Sequence, residues 1–126
     1  MKEKLLFFLL VILIFIQPVS LVYHQQDKFF SSGYHTEFSS FKDKYNASQY
    51  HQKKNPIIMS DADFEKFAGG AFLQGLNPIL IVHDHPPLGR YVISLSILLF
   101  DNPHTIMIAV YALIALSFFL LSKQVL

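Results

Sequence analysis

The chain has no cysteine, few glycines (5) and little charge, with 15% Asp, Glu, Lys and Arg among 126 residues. Without cysteine there is no disulfide framework and no thiolate metal site, and the redox compartment stays open. The net charge of +1 offers no broad basic surface to nucleic acid. What replaces charge is apolar bulk: 52% hydrophobic residues, 13 of them Phe, and a mean hydropathy of +0.38. That exceeds an ordinary soluble domain of this size and points to a membrane class.

Two segments are long enough to cross a bilayer. Residues 5–23 would rise roughly 28 Å as a helix, the thickness of the hydrocarbon core. Lys2 and Lys4 precede this segment and hold residues 1–4 on the cytoplasmic side. A cleaved signal peptide is the rival reading, but Pro18 stands where a small residue is needed upstream of a cut. Residues 105–122 form the second span, followed by Lys123 in a cytoplasmic 123–126 tail. The apolar run 91–100 would rise only about 15 Å, half the core, and reads as an interfacial helix over about 88–100. Arg90, Ser94 and Asp101 fall on one stripe of it. Two spans put all three flanking lysines on one side, leaving residues 24–104 as a large extracytoplasmic loop. The expected fold is an all-α membrane protein with two transmembrane helices flanking a loop of interfacial amphipathic helices.

Within the loop, Phe30, Tyr34, Phe38, Phe41 and Tyr45 recur at spacings of 4, 4, 3 and 4, a helical face suited to a membrane interface, with Gly33 weakening its start. Asn46-Ala47-Ser48 is a glycosylation sequon. A helix over about 61–75 follows from Ser60 with Asp63 as a capping-box-like start, from apolar Phe64, Phe67, Ala68, Ala71 and Phe72, and from Gly75 and Asn77-Pro78 as stops. By spacing alone Asp61 and Asp63 read first as capping residues that suit the helix dipole, with proton-transfer chemistry as the alternative. Next come His83-Asp84-His85-Pro86-Pro87-Leu88-Gly89-Arg90. Pro86-Pro87 presets a helix start, and Arg90 in the first turn at a membrane surface suits a phosphate. The histidines read either as an ordinary polar loop or as ligands needing further partners. His24, His35, His51 and His104 show no ligand spacing and read as solvated or interfacial.

His85-Pro86-Pro87-Leu88-Gly89-Arg90 resembles the His-Pro-Pro-Leu-Gly-Lys motif of polyprenyl (dolichyl)-phosphate-mannose–protein mannosyltransferases and related membrane glycosyltransferases of the C-type fold. In that family an acidic motif opens a short helix in the first extracytoplasmic loop, followed by an aromatic helix, a Gly turn and the Pro-Pro motif. Asp61 lies 24 positions before His85 in the same order of features. The resemblance implies an N-terminal segment, a fragment or truncated form, of an enzyme that transfers a sugar such as mannose from a polyprenyl-phosphate donor to a protein or glycan hydroxyl. It implies Asp61 as catalytic base, His85 and Arg90 near the donor phosphate, and Asp63 and Asp84 as assisting residues or ligands of a divalent cation. Its partners would be the lipid-linked sugar, the acceptor and the bilayer of a cell membrane or endoplasmic reticulum. Ala62 departs from the family's usual Glu, Arg90 from its Lys, and His104 and Thr105 stand where an Arg is common. Two spans do not enclose such a donor, so this chain alone is expected to be inactive. The competing readings are a small two-span membrane protein with a structural or interaction role, and a metal-binding module built on Asp61, Asp63, His83 and His85.

Overall fold

In a computed structural model of the chain, residues 2–81 and 87–125 are described; His83, Asp84, His85 and Pro86 lie outside them. The described residues form helices α1 (Lys2–His24), α2 (Gln26–Phe30), α3 (Tyr34–Ala47), α4 (Asp61–Leu73), α5 (Pro78–Ile81), α6 (Leu88–Phe100) and α7 (Thr105–Val125), with no strand among them. The fold is all-α. Within α1 and α7, the stretches Phe7–His24 and Thr105–Gln124 are long and apolar enough to cross a membrane.

The long helices lie against each other in opposite directions. Phe7, near the start of α1, meets Phe119, near the end of α7, with ring centroids 5.5 Å apart. Further along, Pro18 and Val19 of α1 share an apolar groove with Tyr111 and Ala112 of α7. Both chain ends therefore sit at one end of this pair and residues 25–104 at the other. Their outer faces carry large exposed apolar side chains such as Phe8, Ile16, Leu113 and Leu121.

The 25–104 segment has its own core. Tyr34, Phe38 and Phe41 of α3 pack on Phe64, Phe67, Ala68 and Ala71 of α4, and Ile97 of α6 closes the cluster. The α3 aromatic stripe was a candidate for a membrane interface; it is buried instead, because α4 offers a complementary face. Phe38 and Phe67 stack at 6.0 Å, and Tyr45 and Phe67 at 4.2 Å. Burying one such ring contributes about 1.5–3 kcal/mol. Phe30 does not join the stripe: it belongs to α2 and is exposed. The break runs from Ser31, extended at the end of α2, to Gly33, whose φ of +126° sets the start of α3.

The ends of α4 follow from the sequence. Ser60 Oγ accepts from the Asp63 N–H at 3.2 Å. At the other end the Gly75 N–H bonds the Phe72 carbonyl (3.1 Å) and the Leu76 N–H the Ala71 carbonyl (3.0 Å), with Gly75 left-handed at φ +75°. This paired pattern is a Schellman stop.

The α6–α7 turn ties α2, α3 and the start of α7 together. Asp101, left-handed at φ 51°, ends α6, and its carboxylate accepts from the Gly33 N–H (2.7 Å), the His35 N–H (2.8 Å) and the His35 ring. It thus caps α3 across the fold, where Gly33 has no side chain to do so. Asn102, 3% exposed, donates to the Lys28 and Ser31 carbonyls at 3.0 and 2.6 Å and accepts from the His104 and Thr105 N–H groups at 2.6 and 3.2 Å. One side chain thereby serves the end of α2 and the start of α7.

Candidate functional site

The acidic helix and the helix that follows the Pro-Pro motif pack directly on each other. Gly69 makes this possible: a Cβ there would stand 2.6 Å from Ile93 Cγ2. Ser94 Oγ then reaches the Gly69 carbonyl at 2.7 Å and also returns to the Arg90 carbonyl at 2.8 Å. The close approach sets Arg90, one turn before Ser94, against the first turns of α4.

Arg90 is buried there, with its side chain 7% exposed. Its Nη2 donates to Glu65 Oε1 at 2.7 Å, and its guanidinium lies 5.5 Å from the centre of the Phe64 ring. The Nε is buried without a partner. The residue expected to meet a phosphate therefore holds a carboxylate in that role. The stripe of Arg90 and Ser94 does not face water as an interfacial helix would have it. α6 buries Arg90, Ser94, Ser96 and Ile97 and exposes Leu88, Tyr91, Leu95, Leu98 and Leu99. Asp101 leaves the stripe, because the helix ends on it.

Asp61 is exposed at the first position of α4, and its Oδ1 accepts from the Tyr50 hydroxyl at 3.2 Å. Tyr50 stacks on Phe64 at 4.3 Å, so Phe64 carries Tyr50 and Arg90 together. The loop that delivers Tyr50 is fastened by Gln49. Its amide accepts from the Met59 N–H at 2.8 Å and donates to the Met59 carbonyl at 3.0 Å. Asp63 is paired with Lys44 of α3 at 3.3 Å. The two aspartates thus face different partners. Among the described residues, no group of three or more His, Asp or Glu is arranged to hold a metal ion. His85 and Asp84, the other expected site residues, lie outside the described residues.

The structure brings Asp61 and Arg90 to one aromatic platform and adds Glu65, Tyr50, Lys44 and Gln49, which the spacing did not single out. Glu65 had a readable signal, since it stands one helical turn beyond Asp61 and shares its face. Tyr50 and Gln49 had none, because a loop of irregular backbone places them.

A second polar cluster lies at the α6–α7 turn. Burial and the nearby Lys28 and Lys66 charges hold the His104 imidazole down at about 4. Its Nε2 is buried with no hydrogen-bond partner, so of the two readings, solvated or interfacial, full solvation does not hold for His104. The His35 ring hydrogen bond, with further bonds from backbone N–H groups, holds Asp101 below the usual carboxylate range. Burial pushes the Tyr34 phenol up; its hydroxyl donates to the Lys66 carbonyl at 2.5 Å.

No protein family, curated protein or solved structure matches the chain.

Proposed function

We propose that the chain carries a donor-phosphate and proton-transfer cluster of a membrane glycosyltransferase that uses a polyprenyl-phosphate sugar, with α1 and α7 spanning the bilayer and residues 24–104 on its extracytoplasmic face. The observation that carries the reading is the direct packing of α4 on α6, which sets the acidic helix and the Pro-Pro helix around Phe64. The antiparallel α1–α7 pair supports the topology, because it puts Lys2, Lys4 and Lys123 at one end. The outward apolar face of α6 supports contact with lipid.

In this reading an acceptor hydroxyl attacks the anomeric carbon as the bond from that carbon to the phosphate oxygen breaks. Asp61 takes the hydroxyl proton, and the polyprenyl phosphate leaves with the electron pair. Asp61 is exposed, as a base for an incoming acceptor must be, and the Tyr50 hydroxyl orients its carboxylate. Arg90 stabilises the leaving phosphate, which takes the place of Glu65 on the guanidinium fork. His85 joins the phosphate; Asp63 and Asp84 assist. A divalent cation is not required by these steps.

The test measures sugar transfer from polyprenyl-phosphate mannose to a Ser/Thr peptide in membranes of the producing cell, alongside donor binding to the chain in nanodiscs. Asp61→Asn is expected to abolish transfer and leave donor binding, and Arg90→Gln to weaken binding. Transfer unchanged by Asp61→Asn removes Asp61 from the mechanism.

A structural or interaction role remains the second reading. What favours it is that Arg90 and Asp63 are both already ion-paired within the fold. It expects neither substitution to alter transfer.

A further inference from the structure

Helix α1 carries two packing seams, and α7 fills only one. Phe7, Val11, Ile14, Phe15, Pro18 and Val22 line the spaces that α1 shares with α7. The other seam runs along Leu6, Leu10, Leu13, Gln17, Ser20 and His24, at spacings of 4, 3, 4, 3 and 4. That is the 3.5-residue repeat by which two parallel helices pack along their length. Leu13, Gln17, Ser20 and His24 are all exposed. At 100° per residue they share an arc of about 60°, centred about 140° away from the side that meets α7.

Gln17 decides what covers this face. It lies seven residues inside α1 from His24, a depth of about 10 Å. With α1 across the bilayer as proposed above, its carboxamide sits in hydrocarbon, and among the described residues it has no hydrogen-bond partner. An amide left unpaired there is heavily penalised, and a lipid chain offers it nothing. A second helix with a hydrogen-bonding group at the same depth does. Copies of one chain insert with the same topology, so their α1 helices run parallel. A twofold axis along the bilayer normal then brings Gln17 opposite Gln17. A carboxamide both donates and accepts, so the pair closes two N–H···O=C bonds, and one polar residue among leucines at a seam fixes the register.

We propose that the Leu13–Gln17–Ser20–His24 face of α1 is the interface of a parallel homodimer, held in register by hydrogen bonds between the two Gln17 carboxamides. This pairing rests on the membrane placement of α1 and α7 given above and is independent of sugar transfer.

The chain has no cysteine, so single cysteines introduced into the full chain report the interface in phosphatidylcholine vesicles. Under copper phenanthroline oxidation, Leu13→Cys and Ser20→Cys should form disulfide-linked dimers. Ile12→Cys and Val19→Cys, at matching depths on the opposite arc, should not. Energy transfer between donor- and acceptor-labelled chains, followed as added lipid dilutes the protein, gives the dimer constant. Gln17→Leu should weaken dimerisation about tenfold, for two interhelical hydrogen bonds lost, and Gln17→Asn, which keeps the carboxamide, should retain most of it. Dimerisation indifferent to Gln17→Leu would mean that the carboxamide is satisfied within its own chain, as by the Tyr111 hydroxyl of the adjoining groove, and would overturn the proposal. So would chains that float with the vesicles but stay monomeric, or that cross-link equally from both arcs. Chains that do not float with the vesicles at all would overturn the membrane placement, and the dimer with it.

Discussion

Replacing Glu65 with Leu tests whether the Arg90–Glu65 pair holds α6 onto α4. The substitution keeps helix propensity but removes the acceptor of the 2.7 Å bond. Breaking a fully buried pair by removing one partner costs about 3–5 kcal/mol, whereas an exposed pair is worth about 0–1 kcal/mol. This pair lies between those limits, since Arg90 is 7% exposed and Glu65 37%. A loss of about 2 kcal/mol is therefore expected. The Arg90 Nε has no partner already, so the variant leaves the guanidinium with little beyond the Phe64 ring. Replacing both partners with apolar residues removes the stranded charge. The double variant Glu65→Leu/Arg90→Met should accordingly recover about 1 kcal/mol or more of the loss. Unfolding in detergent by denaturant, followed through tyrosine near-ultraviolet circular dichroism, gives each value, and the chain offers 6 Tyr for this signal and no Trp. The reasoning fails if Glu65→Leu lies within about 0.5 kcal/mol of the parent, or if the two substitutions add without coupling.

Gly69→Ala should destabilise by about 1 kcal/mol, because overpacking against Ile93 outweighs the roughly 1 kcal/mol gained in helix propensity. Pairing it with Ile93→Ala should reverse the sign of the Gly69 effect in the same assay. Asn102→Ala should cost about 2–4 kcal/mol, since it strips partners from two carbonyls and two N–H groups at buried helix ends. Hydrogen exchange should then rise first in α2 and the start of α7. His104 binds its proton less readily folded than unfolded, so the unfolded chain holds more protons between pH 6.5 and about 4. Stability should fall with falling pH through that window, by on the order of 2–3 kcal/mol in all. His104→Leu should flatten that slope; a slope unchanged by the substitution would assign it to other groups.

The helices were legible because their signals are local. Ser60, the apolar positions from Phe64 to Phe72 and Gly75 determine α4 within one short stretch of chain, and Pro86-Pro87 marks where α6 can begin. The period of the α3 aromatics was legible too, but not what they face. Periodicity identifies an apolar side without naming its partner, and α4 is as good a partner as lipid. The Asp101 cap on Gly33 and the Asn102 connection join residues about 70 positions apart. Each is a single polar side chain whose role exists only after the helices meet. The sequence window around Asp101-Asn102-Pro103 reads simply as a turn. The same limit hid the pairing of Glu65 with Arg90, 25 residues away, although the position of Glu65 on the Asp61 face was legible.

The orientation of α6 carries the strongest physical constraint on the candidate site. A helix surrounded by water buries its apolar face; α6 buries an arginine and two serines and turns Leu88, Leu95, Leu98 and Leu99 outward. The burial is supported by specific bonds, Arg90 to Glu65, Ser94 to Gly69 and Ser96 to the Ile106 N–H, so the helix is not simply rotated out of register. Exposed apolar area of this kind is favourable only against an apolar medium or partner. The outer faces of α1 and α7 make the same demand, and one bilayer meets all three. Under the proposed placement, α6 then lies at the membrane surface with its leucines in lipid and Arg90 on the opposite face, against α4. Asp61 stays exposed at the free end of α4. A lipid-borne phosphate and a water-borne hydroxyl would then reach the same aromatic platform from two phases. This predicts that Leu95→Asp and Leu98→Asp weaken membrane association of the 24–104 segment without disturbing the Arg90–Glu65 pair. Quenching of a fluorophore at position 95 by lipids brominated in the upper acyl chain measures the depth. Absence of quenching there, with quenching retained on α7, would place α6 in water or against protein and separate the proposed sugar-transfer cluster from the membrane surface.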